Sequence, residues 1–139
     1  MTAQLRIEPV WHDQDLVEVR VTASNEIFSG AACVSIDPDG LRAAADELAG
    51  FPSRPGDRRR INWGQAGLGM ASLDFVTADA VGHCHVVVEL RTGDQCGDTP
   101  GQAVTVLLPV EPAAIDRFAV DLRRSGPKRH LPAILDGAT

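Results

Sequence analysis

His83-Cys-His-Val-Val-Val-Glu-Leu-Arg91 and, after a polar interval, Ala103-Val-Thr-Val-Leu-Leu-Pro-Val110 decide the fold of this chain. In the first run Cys84, Val86, Val88 and Leu90 recur at period two, with His83, His85, Glu89 and Arg91 on the other face. Successive Cβ atoms of an extended chain point to opposite sides, so this alternation marks a strand with one buried face. Val104, Val106, Leu108 and Val110 repeat the pattern against Ala103, Thr105 and Leu107. Residues 92–101 between them are rich in Gly, Asp, Thr and Pro, too polar to bury, and predict a loop joining antiparallel neighbours. A slip of one residue would turn His83, His85 and Glu89 into the core, so the register is strongly specified.

Upstream of that hairpin the same reading continues. Residues 4–10 alternate, with Leu5 and Ile7 together and Pro9 demoting the run to an edge strand or ending it. Residues 16–24 place Val17, Val19 and Val21 inward. Residues 27–36 form a third strand, with Phe28, Ala32, Val34 and Ile36 sharing a face with Gly30, a glycine that suggests a bulge or a close approach of another backbone. Asp37-Pro38 predicts a helix start, the Asp carboxylate accepting from free N–H groups of the first turn. Leu41, Ala44, Ala45 and Leu48 form its apolar stripe, and Gly50-Phe-Pro52 stops it. Residues 59–64, with Ile61 and Trp63 inward, and the run through Ala71, Leu73 and Phe75 add two strands. Glu111-Pro112 opens a second helix striped by Ile115, Phe118, Ala119 and Leu122, with Arg123 and Arg124 at its negative end.

The expected order is therefore β-β-β-α-β-β-β-β-α in one α+β domain over residues 1–139, with residues 127–139 fraying at the tail. One curved, mainly antiparallel sheet with both helices on one face accounts for strands that bury a single side.

The chain has 139 residues, a 44% apolar share and no apolar run long enough to span a bilayer, which fits one soluble domain and excludes a membrane helix. The N-terminus lacks a signal-peptide core, and three cysteines without a CxxC fit reduced thiols in a bacterial-type cytosol, so a cytoplasmic location is expected. Cys33 and Cys84 read as buried small residues and Cys96 as an exposed thiol. Net charge is −6, and residues 1–50 carry nine acids and three bases, which accounts for all of it. An acidic half repels phosphates and argues against nucleic acid. It suits a basic protein partner, or simply keeps the chain in solution.

Candidate chemistry is sparse. His83 and His85 at i and i+2 on a strand point the same way, a spacing that zinc accepts, but no third ligand accompanies them, and no cofactor is implied. Arg58, Arg59 and Arg60 alternate about a strand and so form no continuous anion cradle; they are candidates to bind phosphate or an acidic partner, and a solvated loop end or salt bridges to the acidic first half are the simpler role. Gly64-Gln-Ala-Gly-Leu-Gly69 lacks the Lys-Ser/Thr and the following helix of a phosphate loop. No serine sits in a nucleophile elbow. Trp11 and Trp63, together with the acids Asp13, Asp15 and Glu18, are the candidates for an interaction face, with core or edge packing the simpler role of the two tryptophans.

The layout of residues 17–30, of 41–52, of Gly82-His-Cys-His-Val-Val-Val-Glu-Leu90 and of 110–118 resembles small bacterial proteins of this length, and in particular WapI-type immunity proteins of bacterial toxin systems. That resemblance implies a single α+β domain that binds and blocks a toxin, and it transfers no site residue. Three expectations follow: a non-enzymatic protein-binding module, a small-molecule binder or enzyme with a pocket between helices and sheet near His83 and His85, or a homodimer joined through a sheet edge.

Overall fold

A computed structural model describes residues 3–65, 67–93, 101–125 and 131–138. Along the chain they form β1 (Gln4–His12), β2 (Val17–Ser24), β3 (Ser29–Ile36), α1 (Gly40–Leu48), β4 (Arg58–Gln65), β5 (Gly69–Thr77), β6 (Cys84–Arg91), β7 (Ala103–Val110), α2 (Pro112–Arg124) and β8 (Ala133–Asp136). The class is α+β, but the strands make two four-stranded antiparallel sheets rather than one: β3-β2-β1-β8 and β4-β5-β6-β7. The break falls at α1. A helix inserted between β3 and β4 removes the short turn that would have made them hairpin neighbours.

The second sheet is a meander of successive hairpins, and β6 lies inside it between β5 and β7. Leu90 faces Val104, Val88 faces Val106 and Val86 faces Leu108, so both apolar runs of the hairpin share one face. The first sheet gains a strand that the sequence does not announce. Within the expected frayed tail, residues 127–130 lie outside the described residues, whereas β8 pairs with β1 from Gln4↔Asp136 to Ile7↔Ala133. That pairing stops two residues short of Pro9, where a ladder strand tolerates proline, and the β1–β2 register shifts between Pro9 and Trp11.

The sheets meet through β3, which runs across all four strands of the second sheet. Nor do the helices share one face of one sheet: α1 and α2 pack on each other, α1 also against β4 and α2 against β8. One apolar core joins Leu41, Ala44, Ala45 and Leu48 of α1, Ile115, Phe118 and Leu122 of α2, and the inner faces of both sheets. Phe75 sits at its centre, 6.2 Å from the Phe51 ring in an edge-on arrangement and 6.4 Å from Phe118.

Several local expectations change. Gly30 does mark a close approach, but of a side chain: a Cβ there would lie 2.4 Å from Val104 Cγ1. Phe28 precedes β3 and is exposed, because Asn25 Oδ1 accepts the Ile27 and Phe28 N–H groups and holds both in the turn. Cys33 is exposed: Ala32, Val34 and Ile36 point inward, so period two turns the residue between them outward. Cys84 is buried, and Cys96 lies outside the described residues. At the start of α1 the Asp37 side chain makes no cap; its backbone carbonyl accepts the Gly40 N–H at 2.8 Å. No helix among the described residues is long and apolar enough to cross a membrane.

Candidate functional site

A groove of about 580 Å³ runs between β4 and the β3–α1 corner. One wall is β4 itself. Arg60, Ile61, Asn62, Trp63, Gly64 and Gln65 all line it, and consecutive residues from both faces line one groove only where a strand presents its backbone edge. The opposite wall is Ser35, Ile36 and Asp37 from the end of β3, then Gly40, Ala43, Ala44 and Glu47 on α1, with Asp15 and Leu16 of the β1–β2 turn closing one side. Ile61 and Trp63 are almost fully buried and give the groove an apolar base.

Its charge is lopsided. Asp15, Asp37 and Glu47 face a single cation, Arg60, whose Nη2 lies 3.8 Å from Asp74 on the outer face of the sheet. Asp74 is buried and takes Arg58 through both carboxylate oxygens, the Nε bond being 2.9 Å; the Arg58 hydrogen bond holds its carboxyl below the usual carboxylate range. Arg59 binds Asp57. The arginine run is therefore neutralised by Asp57 and Asp74, which belong to the second half, and not by the acidic first half as its charge excess had suggested. Three acids of the first half are left lining the groove.

The structure brings Asp15, Arg60 and Trp63 together and leaves the other candidates elsewhere. Asp13 is a turn-former: its Oδ1 accepts the N–H groups of Asp15 and Leu16 at 2.8 and 2.9 Å, and those backbone bonds lower its pKa. Trp11 is half exposed at the end of β1, opposite Glu18. Asp37 and Glu47 were missed as site residues, since Asp37 read as a helix cap and nothing in the sequence singles out Glu47. Only the packing of α1 beside β4 puts them across from a strand edge.

His83 and His85 do not converge. His83 lies in the β5–β6 turn, its Nδ1 2.5 Å from Asp79 Oδ2, and that bond lowers the Asp79 pKa. His85 lies on the outer face of the second sheet between Val76 and Pro109. Neither lines the groove, and among the described residues no group of three or more His, Cys, Asp or Glu is placed to hold a metal ion. Burial pushes the Cys84 thiol pKa up, and its Sγ donates to the Gly82 carbonyl at 3.3 Å, an arrangement for an inert thiol. No family model, curated protein or solved structure matches the chain.

Proposed function

We propose that this is a non-enzymatic protein-binding module, immunity-like in role, that offers the groove between α1 and β4 to a basic protein partner. The observation that carries the reading is the placement of Asp15, Asp37 and Glu47 around an apolar base of Ile61 and Trp63. Carboxylates at the rim steer a cationic partner and set its orientation, and the apolar base supplies the contact that holds it. No His, Cys or Lys lines the groove beside them, and no metal-ligand set is found among the described residues.

The test is affinity purification from the native cell, with the wild-type chain and an Asp15→Lys, Asp37→Lys, Glu47→Lys triple variant in parallel. A basic protein retained by the wild type, lost from the variant and released as salt rises supports the reading. Identical retention by both chains, or none by either, overturns it.

A further inference from the structure

Among the described residues, hydrogen bonds reach the outward groups of two of the four sheet edges, β7 and β8, a close backbone approach meets β3 at Cys33, and β4 has neither. The phase of each ladder can be read from the bonds at its ends. In an antiparallel pair the residues alternate between facing the partner and facing away. Thr77 N–H donates to the Asp57 carbonyl at 3.1 Å, so Asp57 and every second residue after it face β5. Arg58, Arg60 and Asn62 therefore turn their N–H and C=O groups away from the sheet. The same alternation turns Leu107 and Pro109 outward on β7, because Thr92 N–H donates to Gln102 across the β6–β7 ladder. It turns Ile134 outward on β8, because Gly137 N–H donates to Ala3.

The β7 and β8 edges are covered by hydrogen bonds, and β3 is met at one point. On β7, Asn25 Nδ2 donates to the Leu107 carbonyl at 3.0 Å, Ala138 N–H donates to the Pro109 carbonyl at 2.7 Å, and Pro109 has no N–H to offer. On β8, the Ile134 N–H donates to Asp121 Oδ2 of α2 at 3.3 Å. On β3, the Gly69 backbone passes so close that a Cβ there would sit 2.6 Å from the Cys33 carbonyl. Folded proteins block exposed edges in these ways because an open edge recruits another strand. On β4, no hydrogen bond from any described residue reaches the outward groups of Arg60 and Asn62, and these groups face the groove.

We infer that the outer edge of β4 is a strand-addition site, where an extended basic segment of the protein partner pairs with Arg60 and Asn62. This rests on the reading given under Proposed function and specifies how the partner is held. Backbone hydrogen bonds to the β4 edge supply a sequence-independent grip, and alternate side chains are then sorted by what they meet. One set lies on the face of Ile61 and Trp63, toward the α1 side of the groove with Asp37 and Glu47, and is Lys or Arg. The other set lies on the outer face beside Arg60 and Asn62 and is uncharged. A second copy of this chain fits less well, because pairing two β4 edges would bring two sets of Asp15, Asp37 and Glu47 to one interface.

The probe is an alternating Lys-Val peptide of about eight residues, roughly the length of one strand. It is compared with an alternating Glu-Val peptide and with a Lys-Val peptide N-methylated on every second amide. Binding is followed by fluorescence anisotropy and by hydrogen exchange of the β4 amides. The Lys-Val peptide is expected to bind about tenfold or more tightly than either control and to slow exchange at Arg60 and Asn62. Asn62→Pro removes an outward N–H and leaves the backbone ladder to β5 intact, at the loss of one exposed bond from the Ser72 hydroxyl, so it should stay folded and lose peptide binding. Asp37→Lys with Glu47→Lys should lose binding as well. If the acids matter but the N-methylated peptide binds equally and exchange at β4 is unchanged, strand addition is wrong and the acidic docking face survives. If no peptide binds, or charge reversal has no effect, both fail. Light scattering that reports a dimer disrupted by Asn62→Pro would give the edge to a second copy and overturn the assignment.

Discussion

Asp57 and Arg59 are two residues apart at the start of β4 and grip each other twice, Nε to Oδ1 at 3.1 Å and Nη2 to Oδ2 at 2.9 Å. The remaining guanidinium nitrogen reaches back to α1, donating to the carbonyls of Glu47 at 2.8 Å and Ala49 at 3.2 Å. Those carbonyls lie at the C-terminal end of the helix, where no intrahelical donor remains. One ion pair thus anchors the end of α1 to the strand that forms the opposite wall of the groove. The Arg59 guanidinium also lies 5.8 Å from the centre of the Phe51 ring. Asp57→Asn leaves Arg59 without its counter-charge in a place with little water, and the expected loss is about 2–4 kcal/mol. Urea denaturation followed by far-UV circular dichroism measures it; a change within error would show that the pair is dispensable.

The same carboxylate makes stability depend on pH. Its hydrogen bonds from Arg59, and then from the Ser53 N–H, hold the Asp57 pKa far below the usual carboxylate value. A group whose folded pKa is depressed stabilises the fold above its unfolded pKa, about 3.9 for Asp, and that stabilisation is lost as pH falls through the folded value. Asp74, held down by Arg58, acts in the same direction. The melting temperature should be flat near neutrality and fall progressively below about pH 4, with a shallower fall in Asp57→Asn. Equal slopes in the two proteins would assign the acid transition to other carboxylates.

Gly30 fits because it has no side chain. A methyl group there would overlap Val104 Cγ1 at 2.4 Å, where β3 crosses β7. Gly30→Ala should cost about 1–3 kcal/mol by overpacking. Adding Val104→Ala opens the space the new methyl needs, so the double variant should be more stable than the sum of the single changes implies. Strict additivity in that cycle would mean that the two residues do not touch.

Asn25 holds its own turn and the β7 edge with one side chain: Oδ1 accepts from Ile27 and Phe28, and Nδ2 donates to Leu107. Asn25→Ala should cost about 1–2 kcal/mol. It also frees an outward carbonyl beside exposed Ile27, Phe28 and Leu107, so association that rises with protein concentration is expected in sedimentation velocity. A variant that stays monomeric at high concentration would show that the remaining covers on β7 suffice.

Val88 is completely buried on an interior strand. Val88→Asp places an unpaired charge in the core and should leave the chain unfolded at room temperature, seen as loss of the near-UV circular dichroism signal. A folded variant would mean that the second sheet does not carry the fold.

Period-two alternation was enough to find β1 to β7, because each buries an apolar residue at every second position along most of its length and lies between turn residues. Pairing was harder to read. A strand with one buried face does not say which strand lies beside it, and only α1, in the connection between β3 and β4, separates the two sheets. β8 is four residues long, too short for its alternation to stand out. It is a strand because the edge of β1 and the Asp121 carboxylate satisfy its two sides. The groove was partly legible. Asp15, Arg60 and Trp63 were visible as candidates for an interaction face, although Trp63 also read as inward and Arg60 as a salt-bridge donor, whereas Asp37 and Glu47 acquire their place from tertiary packing. The arginine run was misread because charge totals do not report which acid is nearest in space.

The closure of the first sheet has a kinetic consequence. Gln4 and Asp136 lie opposite each other and their side chains are bonded at 3.2 Å, although 132 positions separate them in the chain. Bringing such distant segments together requires a large loop to be closed before any contact repays it, which slows folding. During synthesis the β4–β7 meander can assemble from neighbours as it emerges, while β1 waits with one side unzipped for β8, which follows every other strand in the chain. Refolding should therefore show a nascent second sheet early, with protection of the Leu5 and Ile7 amides arriving in the slowest step.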